Sequence, residues 1–339
     1  MKKAILILLC FAMLVVAVSC NDNNVGEAET SRSVSSSSEK DNHTSGSQET
    51  TTGILPDTLK ESPAEDFEYK ENEDGGVTIT GYIGNDKDVV IPSVINDKTV
   101  TEIGAMSSST IASVIMPDSI TEIKYGAFYN SKSLTTVKLS RNLSVIGAEA
   151  FMNCSALSDI VLPDSLTYIA RMAFANCTSL KHIKIPPKVL DEESISVFNN
   201  SGLENVILEE QMIIPLGAFA YTKLTQITIP SSVKEIDNFA FWYCSELSLV
   251  QLNDGLQSMG VQVFDSTNLL SITIPSSVNN VTEDTFLGCS TLEKLFFEGD
   301  APNNYKGDIN YPSKYTIYFH WGVEGFSYPN WNGFKTEIW

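Results

Sequence analysis

The feature that most constrains this chain is a period. From Pro92 to Glu298 one apolar phrase recurs: leucine, two variable residues, a β-branched residue, one variable residue, then Ile or Leu, most often followed by proline. Leu224-Thr-Gln-Ile227-Thr-Ile229-Pro230 shows it cleanly. Aligned on the residue after the second strand hydrophobe, the steps are 25, 23, 23, 23, 23, 21, 23, 22 and 23, ending at Glu298. A second column runs in phase, from Ala127-Phe128 and Ala150-Phe151 to Val263-Phe264 and Thr285-Phe286. Three residues after each Phe stands a small residue, among them Ser131, Cys154, Cys177, Cys244 and Cys289. Several columns at one period define a solenoid, in which one coil cannot bury its own apolar face and stacked coils share a continuous core.

Each phrase alternates, as in Ile183-Lys-Ile185, which is the signature of a short strand buried on one face. Proline has no N–H to give a ladder, so it suits the turn out of the strand. At about 4.8 Å per strand step, nine coils give a stack roughly 45 Å long. Domain limits follow: 66–92 as an N-terminal cap with a hairpin, 93–298 as the solenoid, and 299–339 as a C-terminal cap rich in Trp and Tyr. Two units break the period, with an extra residue between Leu190 and Ile195 and two fewer between Met212 and Leu216.

The pattern Leu-x-x-Ile-x-Ile-Pro-x-x-Val-x-x-Ile followed by Ala-Phe-x-x-Cys-x-x-Leu resembles the bacterial leucine-rich repeat class called BspA-like, or Treponema pallidum type, over about 66–298. That resemblance implies a leucine-rich repeat solenoid of the α/β repeat type, with about nine repeats, short parallel strands, and turns or short helical segments between them. It also implies surface display and adhesion to host or neighbouring-cell proteins. The asparagine that the general leucine-rich formula puts in the turn after the strand has no counterpart at that place.

Residues 1–19 read as an export signal: Lys2 and Lys3, an apolar run from Ala4 to Val18, then Ser19-Cys20. The run is too short to span a membrane as a helix. Ala17-Val18-Ser19-Cys20 resembles a bacterial lipobox, with Cys20 as the lipidated residue, although Ala17 replaces the usual Leu; the alternative is a plain secretory signal. Residues 20–65, mostly Ser, Thr, Asn and Glu, read as a disordered tether. The membrane would be reached through the N-terminal lipid alone.

Net charge is −20 at pH 7, which argues against nucleic acid, since an acidic surface without a basic stripe repels phosphates. The column cysteines should be buried. Cys154 and Cys177, one coil apart, either pair as a disulfide or stay free. The three histidines, His43, His182 and His320, share no motif, and neither a phosphate loop, a nucleophile elbow nor a zinc helix is present. No catalytic residue, metal ligand or cofactor is read from this chain.

Stacking accounts for the Leu, Ile, Phe, Ala and Cys columns, which leaves the outward strand residues, from Ser113 and Ile115 to Lys294 and Phe296. The candidate binding strip is Val161, His182, Lys184, Asn205, Ile207, Gln226, Thr228, Leu249 and Gln251, a mixture of apolar anchors and polar partners suited to a protein ligand. A second candidate is an aromatic platform of Trp321, Tyr328 and Trp331, which would suit a glycan in a nutrient-capture lipoprotein.

Overall fold

The computed structural model describes residues 60–282, 284–302, 305 and 315–339. The export signal, Cys20 and the tether up to residue 59 lie outside the described residues. Each coil has a strand side, a bridge side and a turn side, and like sides of neighbouring coils are hydrogen-bonded to one another over most of the stack.

On the strand side, Asp88–Val90, Ser113–Ile115, Thr136–Lys138 and Asp159–Ile160 form one parallel stack. The stack resumes as His182–Ile185 with Asn205–Leu208, as Gln226–Thr228 with Leu249–Gln251, and as Ser271–Ile274 with Lys294–Phe297. The last group does not end there. Thr316–Phe319 pairs in parallel with Lys294–Phe297, and Phe334–Ile338 pairs with Thr316–Phe319. The segment expected as a separate cap thus continues the ladder.

The bridge side begins at a hairpin, Phe67–Glu71 with Val77–Tyr82, whose second strand pairs in parallel with Lys98–Ile103. Two-residue bridges then follow at Glu122–Ile123, Val145–Ile146 and Tyr168–Ile169. At the far end of the strand side, the edge strand Asp88–Val90 is covered by residues that the sequence reading assigns to the tether. Ser62 N donates to Val90 O at 2.8 Å, and Val90 N donates to Ser62 Oγ at 3.1 Å. An open edge leaves backbone groups unpaired, and these contacts satisfy them.

On the turn side, of the turns or short helical segments that the repeat class implies, the chain forms turns. Among the described residues the only helix is a 3-10 turn at Ala64–Asp66. The reason lies in two columns of left-handed residues, one lying two before and the other two after a Phe of the ladder. The first contains Gly126, Glu149, Met172, Ser196, Gly217, Phe239 and Gln262; the second runs Asn130, Asn153, Asn176, Asn200, Tyr221, Tyr243, Ser266 and Gly288. A left-handed residue every fourth position cannot sit in an α-helix. The backbone donors alternate instead. Glu149, Phe151 and Asn153 donate to Arg171, Ala173 and Ala175 of the next coil, while Ala150, Met152 and Cys154 donate three residues back. The turn side is therefore also a ladder between coils.

The phenylalanines stack along the axis. Phe128, Phe151, Phe174, Phe198, Phe219, Phe241, Phe264 and Phe286 form parallel pairs with centroids 5.1 to 5.9 Å apart and interplanar angles of 2 to 11°. Each is buried. Such stacking adds about 0.5–1.5 kcal/mol per pair beyond area burial. The small column beside them closes the polar account: Cys154, Cys177, Cys244 and Cys289 place Sγ 2.9 to 3.2 Å from the Phe carbonyl of the preceding coil. None of the four is in a disulfide, so Cys154 and Cys177 do not pair. Burial pushes the Cys154 thiol up to about 12 and that of Cys244 up to about 11.

An asparagine ladder does exist, on the turn side rather than after the strand. Asn153 Nδ2 donates to Asn130 Oδ1 at 2.8 Å, Asn176 to Asn153 at 2.7 Å and Asn200 to Asn176 at 2.8 Å. Asparagine tolerates the left-handed conformation and its amide bridges one coil step.

The irregular units interrupt the bridge side. Its pairing stops at Tyr168–Ile169 and restarts at Ile213–Ile214, continuing through Glu235–Ile236, Ser258–Met259 and Asn280–Val281. In the gap Gln211, fully buried, acts in place of a backbone bridge: Nε2 donates to Pro186 O at 2.6 Å, and Oε1 accepts from Leu190 N at 3.2 Å. Ser194 Oγ donates to Ile169 O at 2.6 Å. Three buried side-chain atoms without a partner, Ser196 Oγ, Asn199 Nδ2 and Ser201 Oγ, fall in this same coil.

Candidate binding face

Strand alternation sends every second side chain of the strand side outward, and register between coils lines those residues into rows. One row runs through His182, Asn205, Gln226, Leu249, Ser271 and Lys294; the other through Val161, Lys184, Ile207, Thr228, Gln251, Thr273 and Phe296. All nine residues of the expected strip are exposed, including Val161 at 69%, Ile207 at 59% and Leu249 at 58%. Lys184 stands in register with Ile207, and Thr228 with Gln251.

The rows enclose two shallow depressions that share Gln226 and Thr228. One, of about 370 Å³, is lined by Asn205, Ile207 and Pro230 among others; the other, of about 300 Å³, by Leu249, Gln251, Ser271 and Thr273. Lys184 bonds Glu209 at 2.8 Å, and that carboxylate raises the lysine above its ordinary value. From Asn205 to Thr273 the rows hold amides, hydroxyls, Ile207 and Leu249, with no ionised side chain.

The strip does not extend evenly to the N-terminal end. Ser113, expected to face outward, is buried because its Oγ donates to Asp88 Oδ1 of the adjoining edge strand at 2.6 Å. At the other end Phe296, expected to face outward, meets Tyr318 and Trp339, which the alternation within the repeats did not bring to it. Phe296 is stacked on Tyr318 at 4.7 Å and 25°, and Trp339 stands against Phe296 at 4.9 Å and 60°. Trp339 also lies on His320 at 4.5 Å and 20°. The signal was the alternation Tyr315-Thr-Ile317-Tyr-Phe319, which repeats the strand phrase one period after Leu295.

The aromatic platform does not assemble as expected. Trp331 is only 8% exposed. Its strand, Asn330–Trp331, turns back antiparallel onto Phe334–Ile338 through left-handed Asn332 and Gly333. This carries the indole inward onto Phe326 at 4.7 Å and Tyr305 at 6.0 Å. Trp321 and Tyr328 remain exposed. A separate aromatic group on the turn side, Tyr221, Phe239, Trp242 and Tyr243, packs ring against ring with Tyr243 exposed, and Trp242 Nε1 donates to the buried Asp265 at 3.0 Å. Among the described residues no group of three or more His, Cys, Asp and Glu could hold a metal ion, and no helix is long and apolar enough to cross a membrane.

A family model described as the BspA type leucine rich repeat region matches residues 99–215 and 212–306, with six copies. The chain is similar to a solved leucine-rich repeat protein from Bacteroides ovatus at 25% identity and a TM-score of 0.66, covering 75% of this chain and 70% of that one. It is also similar to a leucine-rich cell surface protein from Faecalibacterium prausnitzii, at 26% identity and a TM-score of 0.53 over 71% and 89% of the two chains. A leucine-rich repeat protein of T. pallidum matches at 28% identity over 61% and 89%, with a TM-score of 0.46. No curated protein matches.

Proposed function

The chain belongs to the family of BspA-type leucine-rich repeat proteins, and from that premise we propose that it is a protein-recognition module displayed at the cell surface. Its ligand is a protein of the host or of a neighbouring bacterial cell, and its role is adhesion. The observation that carries this reading is the exposed, largely uncharged strip running from Asn205 to Thr273. Apolar side chains at 59% and 58% exposure on a parallel-strand face contribute nothing to the core, and rims of amides around them match the chemistry of protein interfaces. A solenoid suits recognition because such positions can change while the ladders beneath are kept. The lipobox-like Cys20 supports a lipid anchor, and the similar chain from F. prausnitzii is described as a cell surface protein.

The test is a triple variant, Lys184→Ala, Ile207→Ala and Gln251→Ala, applied with the unaltered chain to immobilised extracellular-matrix and whole-cell proteins. Binding should fall at least tenfold while the thermal midpoint stays nearly unchanged; unaltered binding would exclude the strip. Cys20→Ser should release the chain from the membrane fraction. A glycan array tests nutrient capture, the competing role, which the inward position of Trp331 disfavours.

A further inference from the structure

Resting on the strip as the binding face, we infer that its ligand is an extended, uncharged polypeptide segment with two apolar side chains about six residues apart. The first observation is charge. The chain carries 42 acidic and 22 basic residues, yet Asn205, Ile207, Gln226, Thr228, Leu249, Gln251, Ser271 and Thr273 put no ionised group on the face between them. A charged ligand side chain laid there would lose hydration and gain no counter-charge, whereas uncharged polar groups lose little. The amides of Asn205, Gln226 and Gln251 offer both donors and acceptors, which fits the unpaired N–H and C=O groups of an extended backbone.

The second observation is spacing. Ile207, Thr228, Gln251, Thr273 and Phe296 are successive rungs, so four steps separate Ile207 from the aromatic end. At about 4.8 Å per rung that is roughly 19 Å, which an extended chain rising about 3.3 Å per residue covers in about six residues.

The third observation is how the rings sit. A sugar ring stacks on an open aromatic face. Here Phe296 and Tyr318 cover one another, Trp339 stands tilted on Phe296, and His320 covers Trp339. Rings covered in this way receive an aliphatic or prolyl side chain better than a pyranose, which needs an open face. Trp339, half exposed, is the ring nearest to acting as the anchor's wall.

The experiment displays a random twelve-residue peptide library to the full chain and measures the enriched peptides against three proteins: wild type, the double variant Thr228→Glu with Gln251→Glu, and Trp339→Ala. Thermal unfolding checks that each variant is folded. The expected binders carry apolar residues about six apart with uncharged residues between them. Their affinity should fall at least tenfold in the double variant and in Trp339→Ala, and change less than twofold between about 0.05 and 0.5 M NaCl, where charged contacts would be screened. Binders that are lost on the double variant but are charge-rich and salt-sensitive overturn this inference and leave the strip standing. Binders indifferent to the double variant overturn the strip itself. Failure to enrich any peptide overturns the inference that a simple extended segment is the ligand.

Discussion

Gln211→Ala should be among the most damaging single changes outside the hydrophobic columns. Gln211 is fully buried and bonds both Pro186 O, at 2.6 Å, and Leu190 N, at 3.2 Å. Removing it leaves a buried carbonyl and a buried N–H without partners, each costing about 1–3 kcal/mol. A water admitted to the space could restore one of them, so a loss of about 1–3 kcal/mol is expected. Urea unfolding followed by far-UV circular dichroism measures it as a shift in midpoint. Gln211→Glu sharpens the test. Its carboxyl would be desolvated and would face the Pro186 carbonyl, so its folded pKa must rise above the ordinary value of about 4.3. The folded state then binds more protons than the unfolded one, and stability relative to wild type must fall as pH rises from 5 to 8. A deficit below about 0.5 kcal/mol for Gln211→Ala, or a Gln211→Glu deficit that does not vary with pH, would refute the role of this amide in sealing the irregular coil.

Other consequences follow from the ladders. Phe174, buried and stacked on both sides, should cost about 3–5 kcal/mol when changed to Ala, and Phe286, which has one stacked neighbour among the described residues, should cost less; urea midpoints compare the two. At Asn176, where φ is 61°, Gly should be tolerated better than Ala by about 1 kcal/mol in the same assay, the reverse of the usual order, because only the left-handed conformation closes the turn. The thiols of Cys154, Cys177, Cys244 and Cys289 should resist a thiol reagent at pH 8 for as long as the chain is folded and react in denaturant, read by mass spectrometry, because all four are buried from the reagent and burial raises the first three against forming thiolate.

Much of the architecture was legible because a solenoid writes its core into columns. Leu, Ile, Phe and Cys positions 23 apart could be assigned to the interior from spacing alone, and alternation within the phrase put Val161, Ile207 and Leu249 on the outside. The turn side was not legible in the same way. Its shape depends on which residues take a left-handed φ, and the columns that do so mix Gly, Asn, Glu, Met, Ser, Gln, Tyr and Phe. Beyond four asparagines in the second column, residue type does not mark these positions, because what fixes the conformation is the ladder to the next coil. Asn130, Asn153, Asn176 and Asn200 were visible at a regular spacing, yet only the structure shows that their amides meet.

The C-terminal end divides in the same manner. The aromatic content of residues 315–339 was plain in the sequence, but exposure and partnership were not. A tight antiparallel return buried Trp331, while the last residue, Trp339, came back onto Phe296 at the end of the strip. The sequence by itself determined the period, the buried columns and the face left free, because stacking demands the same residue type at the same place in every coil. Tertiary structure alone decided where the ladder ends, how Gln211 bridges its break and which rings border the free face, because those depend on contacts between residues that no periodic rule brings together.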